Sequence, residues 1–202
     1  MQKRGGFRVS VGISSLLMIF IVLALTTFSV LGYVTANSDY KLAEKTANGV
    51  TSYYQADATA ERFLASVDRK LSAMMASAQQ LETSNNLEGL PCGPLPGETA
   101  DKIRSLQGET GSILRLASYQ ALAQSLAQFD LGFSEGTLVQ EGWTVTAEIP
   151  VDDVRKLVLE IQLEPNPFDE SVRYTVLKRR LVSTVTYNED DSNLELWQGE
   201  LV

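Results

Sequence analysis

From Val9 to Ala36 the chain reads VSVGISSLLMIFIVLALTTFSVLGYVTA without one charged side chain, and 30 uncharged residues separate Arg8 from Asp39. A helix rising about 1.5 Å per residue needs roughly 20 apolar residues to cross the hydrocarbon core of a bilayer. Residues 9–36 are therefore long enough to span. Val11, Leu16, Leu17, Ile19, Phe20, Ile21, Leu23, Leu25, Phe28 and Leu31 are the candidate anchor residues facing the lipid bilayer. A cleaved secretory signal is the competing expectation, because Val34-Thr35-Ala36 resembles a small-residue cleavage site. Signal cores are shorter, however, at about 7–15 apolar residues. Lys3, Arg4 and Arg8 precede the run and no acid does. Positive flanks stay in the cytoplasm, so the expected protein is single-pass in the cell (inner) membrane, with everything from about residue 37 extracytoplasmic.

Composition narrows what the remainder does. From Asn37 onward 14 Lys and Arg stand against all 25 Asp and Glu, a formal charge of −11. Nucleic-acid binding needs a basic face to neutralise phosphates, so no nucleic-acid partner is expected. The chain has no histidine. That removes a His-based triad, a His general base and His metal ligation, and leaves a Ser-Lys arrangement as the surviving route to hydrolysis. No enzyme activity is expected. Cys92 is the sole cysteine, in Leu90-Pro91-Cys92-Gly93-Pro94. No intramolecular disulfide can form, an intermolecular link or a free thiol remains open, and the loop setting reads as incidental.

Between Ser38 and Leu81 the pattern predicts one continuous amphipathic helix, with no proline and Gly49 as its weak point. Leu64, Val67, Leu71, Met74, Ala78 and Leu81 recur in steps of three and four, and the row extends backwards through Ala60, Asp57, Tyr53, Val50 and Thr46. That is a heptad-like packing seam, carried by Leu64, Val67, Leu71, Met74 and Leu81 and interrupted by Asp57. The seam is expected to receive the chain's own domain, while the first half of the helix contacts neighbouring chains. Asn37 or Ser38 is the expected place for the helix to reset on leaving the membrane. Residues 37–86 thus continue the helix, and 87–97 form a Pro/Gly loop read as a linker or surface cover.

Residues 98–202 are expected to form the globular part. Helices are placed at about 99–130, with Gly108 and Gly111 as breaks, Ser112 as a cap and an end near Asp130. After Phe133 the period changes to two, placing a sheet at about 138–198. Trp143, Val145, Ala147 and Ile149 alternate with polar residues, as do Leu157, Leu159, Ile161 and Leu163. Pro150 to Asp153 and Pro165 to Asp169 are the expected turns. A third strand from Ser171 to Tyr187 shifts phase across Lys178-Arg179-Arg180, which predicts a bulge, and Leu194-Glu195-Leu196-Trp197 reads as a final strand. A long N-terminal transmembrane helix leading into a domain with a C-terminal antiparallel sheet is an α+β arrangement. Glu189, Asp190 and Asp191 are weak candidates for calcium, with a solvated acidic turn as the simpler reading; no other metal or cofactor is expected. The basic triplet could receive an acidic neighbour, with a solvated strand face as the commoner reading.

Two stretches carry a resemblance. The leader-like residues 1–8, MQKRGGFR, followed directly by the apolar helix, resemble the N-terminus of type IV pilins and type II secretion pseudopilins. The stretch Ser52-Tyr53-Tyr54-Gln55-Ala56-Asp57-Ala58-Thr59-Ala60-Glu61-Arg62-Phe63-Leu64 is similar to the aromatic-then-alanine-and-acid segment after the membrane helix of many minor pilins. The resemblance implies cleavage between Gly6 and Phe7 with methylation of Phe7. It also implies a pilin fold, and partners comprising other pilin-like subunits and a filament assembly machine. Calcium binding occurs in some pseudopilins, in a loop before the last strands. Major subunits carry glutamate at the fifth mature position, where this chain has Val11, and Arg8 is unusual directly after the cut. The missing acid points to a minor pilin or pseudopilin serving a type IV pilus or secretion-type filament. The alternative is a single-pass anchored extracytoplasmic binding or sensing domain with no filament role.

Overall fold

A computed structural model describes residues 11–84, 86–106, 108–169 and 172–184, with side-chain surroundings from Ser14 onward. The chain falls into two compact units, residues 1–50 and 51–202. One helix, α1 (Val11–Ser84), contributes to both. Its part in the first unit runs unbroken past Asn37, Ser38 and Gly49, so there is no reset at the end of the apolar run. The hydroxyls there serve the helix instead: Thr35 Oγ1 donates to Leu31 O at 3.0 Å and Ser38 Oγ to Val34 O at 2.9 Å. Such back-bonding lets a hydroxyl residue sit inside a helix without competing for its ladder.

The second unit takes up α1 at Thr51 and adds α2 (Gly97–Ser105), α3 (Gly111–Ala123) and a 3-10 turn (Leu126–Gln128). Four strands follow: β1 (Thr137–Glu141), β2 (Thr144–Asp152), β3 (Arg155–Leu163) and β4 (Tyr174–Ser183). They form one antiparallel sheet in the order β1-β2-β3-β4. The fold is α+β. Every neighbouring pair is consecutive in sequence, as short connections favour.

The core lies between one face of α1 and one face of the sheet. Val145, Ala147 and Ile149 of β2, with Leu157, Leu159, Ile161 and Leu163 of β3, are buried together with Val67, Leu71, Met74, Ala78 and Leu81 of α1. Period two on the sheet and steps of three and four on the helix put these residues on single faces. The buried helix face is broader than a heptad row, because Ala56, Thr59, Phe63 and Ser77 are buried beside it. Phe63 packs its ring 4.9 Å from that of Phe133.

Several local expectations are corrected. Ser112 is not the cap of α3: Thr110 precedes the helix, Gly111 opens it at φ +61°, and Ser112 already lies in its first turn. α3 also stops at Ala123 rather than near Asp130. In a continuing helix the Ala127 amide would bond the Ala123 carbonyl. Gln140 of β1 takes that bond apart: its Oε1 accepts from Ala127 N at 2.8 Å and its Nε2 donates to Ala123 O at 2.8 Å. One side-chain amide thus satisfies both broken ends. Pro150 is not a turn residue but lies within β2, where the register shifts between Pro150 and Asp152. An irregularity near a strand end is where a residue without an N–H is tolerated. The turn that follows is closed by Asp152, whose carboxylate accepts from Val154 N at 3.0 Å and from Arg155 Nε at 2.7 Å. β4 begins at Tyr174, and the single-residue shift opposite Glu160 and Ile161 leaves Leu177 as its extra residue.

The Pro/Gly loop is more than a cover, since it places Leu90 and Cys92 in the core. Its backbone is pinned to α1: Cys92 N donates to Ser77 Oγ at 3.0 Å and Lys70 Nζ donates to Cys92 O at 3.3 Å. Gly93, at φ +87°, closes the turn by donating to Leu90 O at 2.9 Å. Cys92 is 2% exposed, so its thiol is a core side chain and is not presented to a neighbouring chain.

Candidate functional site

The first unit is defined by what does not cover it. Leu16, Leu17, Ile19, Phe20, Ile21, Leu23, Leu25, Phe28 and Leu31 are between 48% and 72% exposed. Val11 is the first residue of α1. Covering a large apolar side chain is worth about 1.5–3 kcal/mol, so these nine together forgo roughly 15–25 kcal/mol if they stay in water. That is comparable with or above the roughly 5–15 kcal/mol that holds a typical domain folded, and the segment is compatible with a single-pass membrane span. Among the described residues α1 is the one helix long and apolar enough to cross a membrane, and its apolar window is 0% buried, unlike a soluble core helix.

Its few polar groups suit an apolar surrounding. Thr26 Oγ1 donates to Leu23 O at 2.9 Å and Thr27 Oγ1 to Ala24 O at 2.8 Å. A hydroxyl satisfied by its own helix needs no water, and in hydrocarbon that removes a cost of several kcal/mol per group. Tyr33 and Tyr40 stand exposed on either side of Asp39, the first charged residue after the apolar run, and aromatic side chains are enriched at membrane–water interfaces.

In the second unit α1 is held to its sheet by charge as well as packing. Leu64, Val67, Leu71, Met74 and Leu81 are all buried, Leu64 at 8% and the other four at 0% exposure. The seam fades backwards: Asp57 and Tyr53 are half-buried, and Val50 and Thr46 are exposed. Asp57, which interrupts the apolar row, is matched by Arg179 of β4, and the same guanidinium reaches Glu61 one turn on. Arg173 forms a fork on Asp68, Nε to Oδ1 at 2.9 Å and Nη2 to Oδ2 at 2.8 Å. The basic triplet is thus not wholly solvated. Arg179 faces α1 because it lies opposite Leu159 in the register, whereas Lys178 pairs with Glu160 at 2.7 Å. The pairs with Asp57, Glu61 and Asp68 are over 100 residues apart in sequence, and no local pattern announces them.

Several titratable groups outside the apolar segment are displaced for plain reasons. Burial pushes the Tyr119 phenol far up, reinforced by nearby Glu164, and its hydroxyl donates to Glu164 O at 3.3 Å. Tyr174 is raised by burial and by Asp68 and Glu61. Asp152 is held below the usual carboxylate range by its hydrogen bond from Arg155.

The remaining candidates are placed as follows. Gly6 and Phe7, the suspected processing pair, lie outside the described residues, as do Glu189, Asp190, Asp191 and the Leu194–Trp197 segment. Among the described residues no three His, Cys, Asp or Glu side chains gather as a metal site. Ser66 and Lys70 line one groove with Arg69 and Asp130, but Ser66 Oγ donates to Phe63 O at 2.8 Å and Lys70 Nζ to Cys92 O. Each is directed to a backbone carbonyl rather than to the other. A wider groove of about 480 Å³ runs between Ser52–Thr59 of α1 and Ile149–Val151, and Glu135 in it accepts from Thr59 Oγ1 at 2.9 Å. These grooves carry no assembled nucleophile and base.

The described site is therefore a helix with an uncovered apolar part in one unit and a buried, ion-paired part in the other, loosely compatible with a pilin-like architecture. No protein-family model matches the chain, and neither a curated protein nor a solved structure matches it.

Proposed function

We propose that this chain is a membrane-anchored, pilin-like structural subunit of the minor-pilin or pseudopilin kind, assembled into a type IV pilus or secretion-type filament. The observation that carries the reading is the character of α1. A single helix supplies an apolar segment that no described residue covers and then the central core element of an α+β domain. Such a segment is stable in two surroundings, a bilayer or a bundle of like helices, and moving between them is what assembly from a membrane requires. Basic Lys3, Arg4 and Arg8 before the segment support a cytoplasmic N-terminus, with the acidic domain extracytoplasmic at the inner membrane. The subunit works by packing, with no catalytic group and no cofactor.

The N-terminus tests this directly. Intact mass of the membrane-extracted protein, made with and without prepilin peptidase, is expected to show a chain beginning at methylated Phe7 only when the peptidase is present. An unchanged Met1 in both samples overturns the filament reading and leaves the anchored binding or sensing domain in its place.

A further inference from the structure

Within the second unit a groove runs along α1, between the helix and residues 130–135. Thr59, Ser134 and Glu135 line both its widest part, about 480 Å³ beside Ile149–Val151, and a narrow waist of about 80 Å³. Ser66, Leu131 and Gly132 line both that waist and a third part of about 370 Å³, which reaches Ala73 and Pro91. From Ser52 to Ala73 the groove follows the helix axis for about 30 Å, at about 1.5 Å per residue. The far wall is preset. Phe133 packs on Phe63, Asp130 Oδ1 accepts from Gly132 N at 2.8 Å, and at Gly136, just past the wall, a Cβ would stand 2.1 Å from Glu148 O. A wall fixed in advance loses little entropy when something binds against it.

The charge of this groove is opposite to that of its domain. Residues 51–202 hold 12 Lys and Arg against 23 Asp and Glu. Arg104, Arg115, Arg155, Arg173 and Arg179 each meet a carboxylate. Arg62 and Arg69, two turns apart on the groove side of α1, are exposed and meet none among the described residues. Lys70 adds a third cation, its Nζ on Cys92 O and over the Phe129 ring. The two acids of the far wall already accept hydrogen bonds within the domain, Asp130 from Gly132 N and Glu135 from Thr59 Oγ1. We infer that the groove receives a carboxylate-bearing surface of a second copy of this chain, with Arg62 and Arg69 as the ion-pairing residues. Charge selects this occupant: a second copy brings the same excess of carboxylates, and a shared membrane keeps copies at high effective concentration. The contact rests on the subunit reading proposed above and deepens it by naming where one subunit meets the next.

Photo-crosslinking of the full chain in membranes tests this contact. A benzophenone maleimide attached through Ser134→Cys sits in the groove, and Cys92, at 2% exposure, does not compete for the label. The expected product of irradiation is a crosslink to a second copy, identified by mass spectrometry. Arg62→Glu with Arg69→Glu is expected to lower its yield at least about fivefold, because like charges then face each other. Lys102→Glu with Arg104→Glu makes the same change in net charge away from the groove and is expected to leave the yield unaltered. No crosslinked pair, a crosslink mainly to a different protein, or equal yields from the two double variants overturns the proposal. Should the first double variant shift the denaturation midpoint of the domain, Arg62→Gln with Arg69→Gln decides: a reduced yield supports the contact, and an unchanged one refutes it. Processing at Phe7 without the crosslink fails this contact alone, and the crosslink on a chain that keeps Met1 fails the filament reading alone.

Discussion

The two parts of α1 differ less in composition than in company. Residues 14–36 are richer in large apolar side chains than residues 56–81, yet every one of their leucines is exposed, whereas the leucines from 64 to 81 are buried. Hydrophobicity alone does not fix burial within a chain. The second part meets a sheet with matching periodicity and the first does not. Among the described residues nothing covers the first part, whereas the second is packed against the sheet. Damage to one part should then be invisible to measurements that report on the other.

The sharpest way to break this contrast is a cavity in the buried part. Leu71→Ala, at a position with 0% exposure, is expected to cost about 2–5 kcal/mol of domain stability by chemical denaturation while leaving membrane fractionation unchanged. The mirror experiment follows. Leu23→Arg is expected to weaken insertion by about 3 kcal/mol, read as protein lost from the membrane fraction or shifted in a glycosylation-mapping assay, with the same denaturation midpoint for the domain. If either variant moves both readouts, the two parts are coupled and the contrast fails.

A smaller effect refines the account of the domain. Tyr119 has its pKa raised in the fold by burial. Above about pH 10 the unfolded chain releases this proton while the folded chain keeps it, so stability falls as pH rises through that range. Tyr119→Phe is expected to flatten the alkaline part of a stability-versus-pH curve, while costing about 1 kcal/mol at neutral pH for the lost bond to Glu164 O. An unaltered alkaline slope would show that another group governs it.

How much was legible in the sequence varied with the range of the interaction. β2 and β3 were readable because alternation is local, and so was the row from Leu64 to Leu81. The end of α3 was not, because it is made by Gln140, whose amide replaces the bond between Ala127 and Ala123 from another element. Pro150 reads locally as a turn and sits in a strand because a register shift accommodates it. Cys92 looked incidental because Pro and Gly surround it, and its burial depends on Ser77 and Lys70 of α1. Asp57 looked like a flaw in an apolar row until Arg179 was found against it. Gly6, Phe7 and the acidic run at 189–191 fall outside the described residues.

Read along the chain alone, the residues specify an uncharged segment long enough to span a bilayer, an acidic remainder without histidine, and helix before sheet. Those follow from length, charge and period, which neighbouring residues specify without help. Which stretch of the long helix is covered, which carboxylates meet Arg173 and Arg179, and where α3 gives way emerge only in the folded chain. Each of these rests on groups far apart in the chain, and their meeting depends on the register of the sheet against α1, which no local pattern encodes.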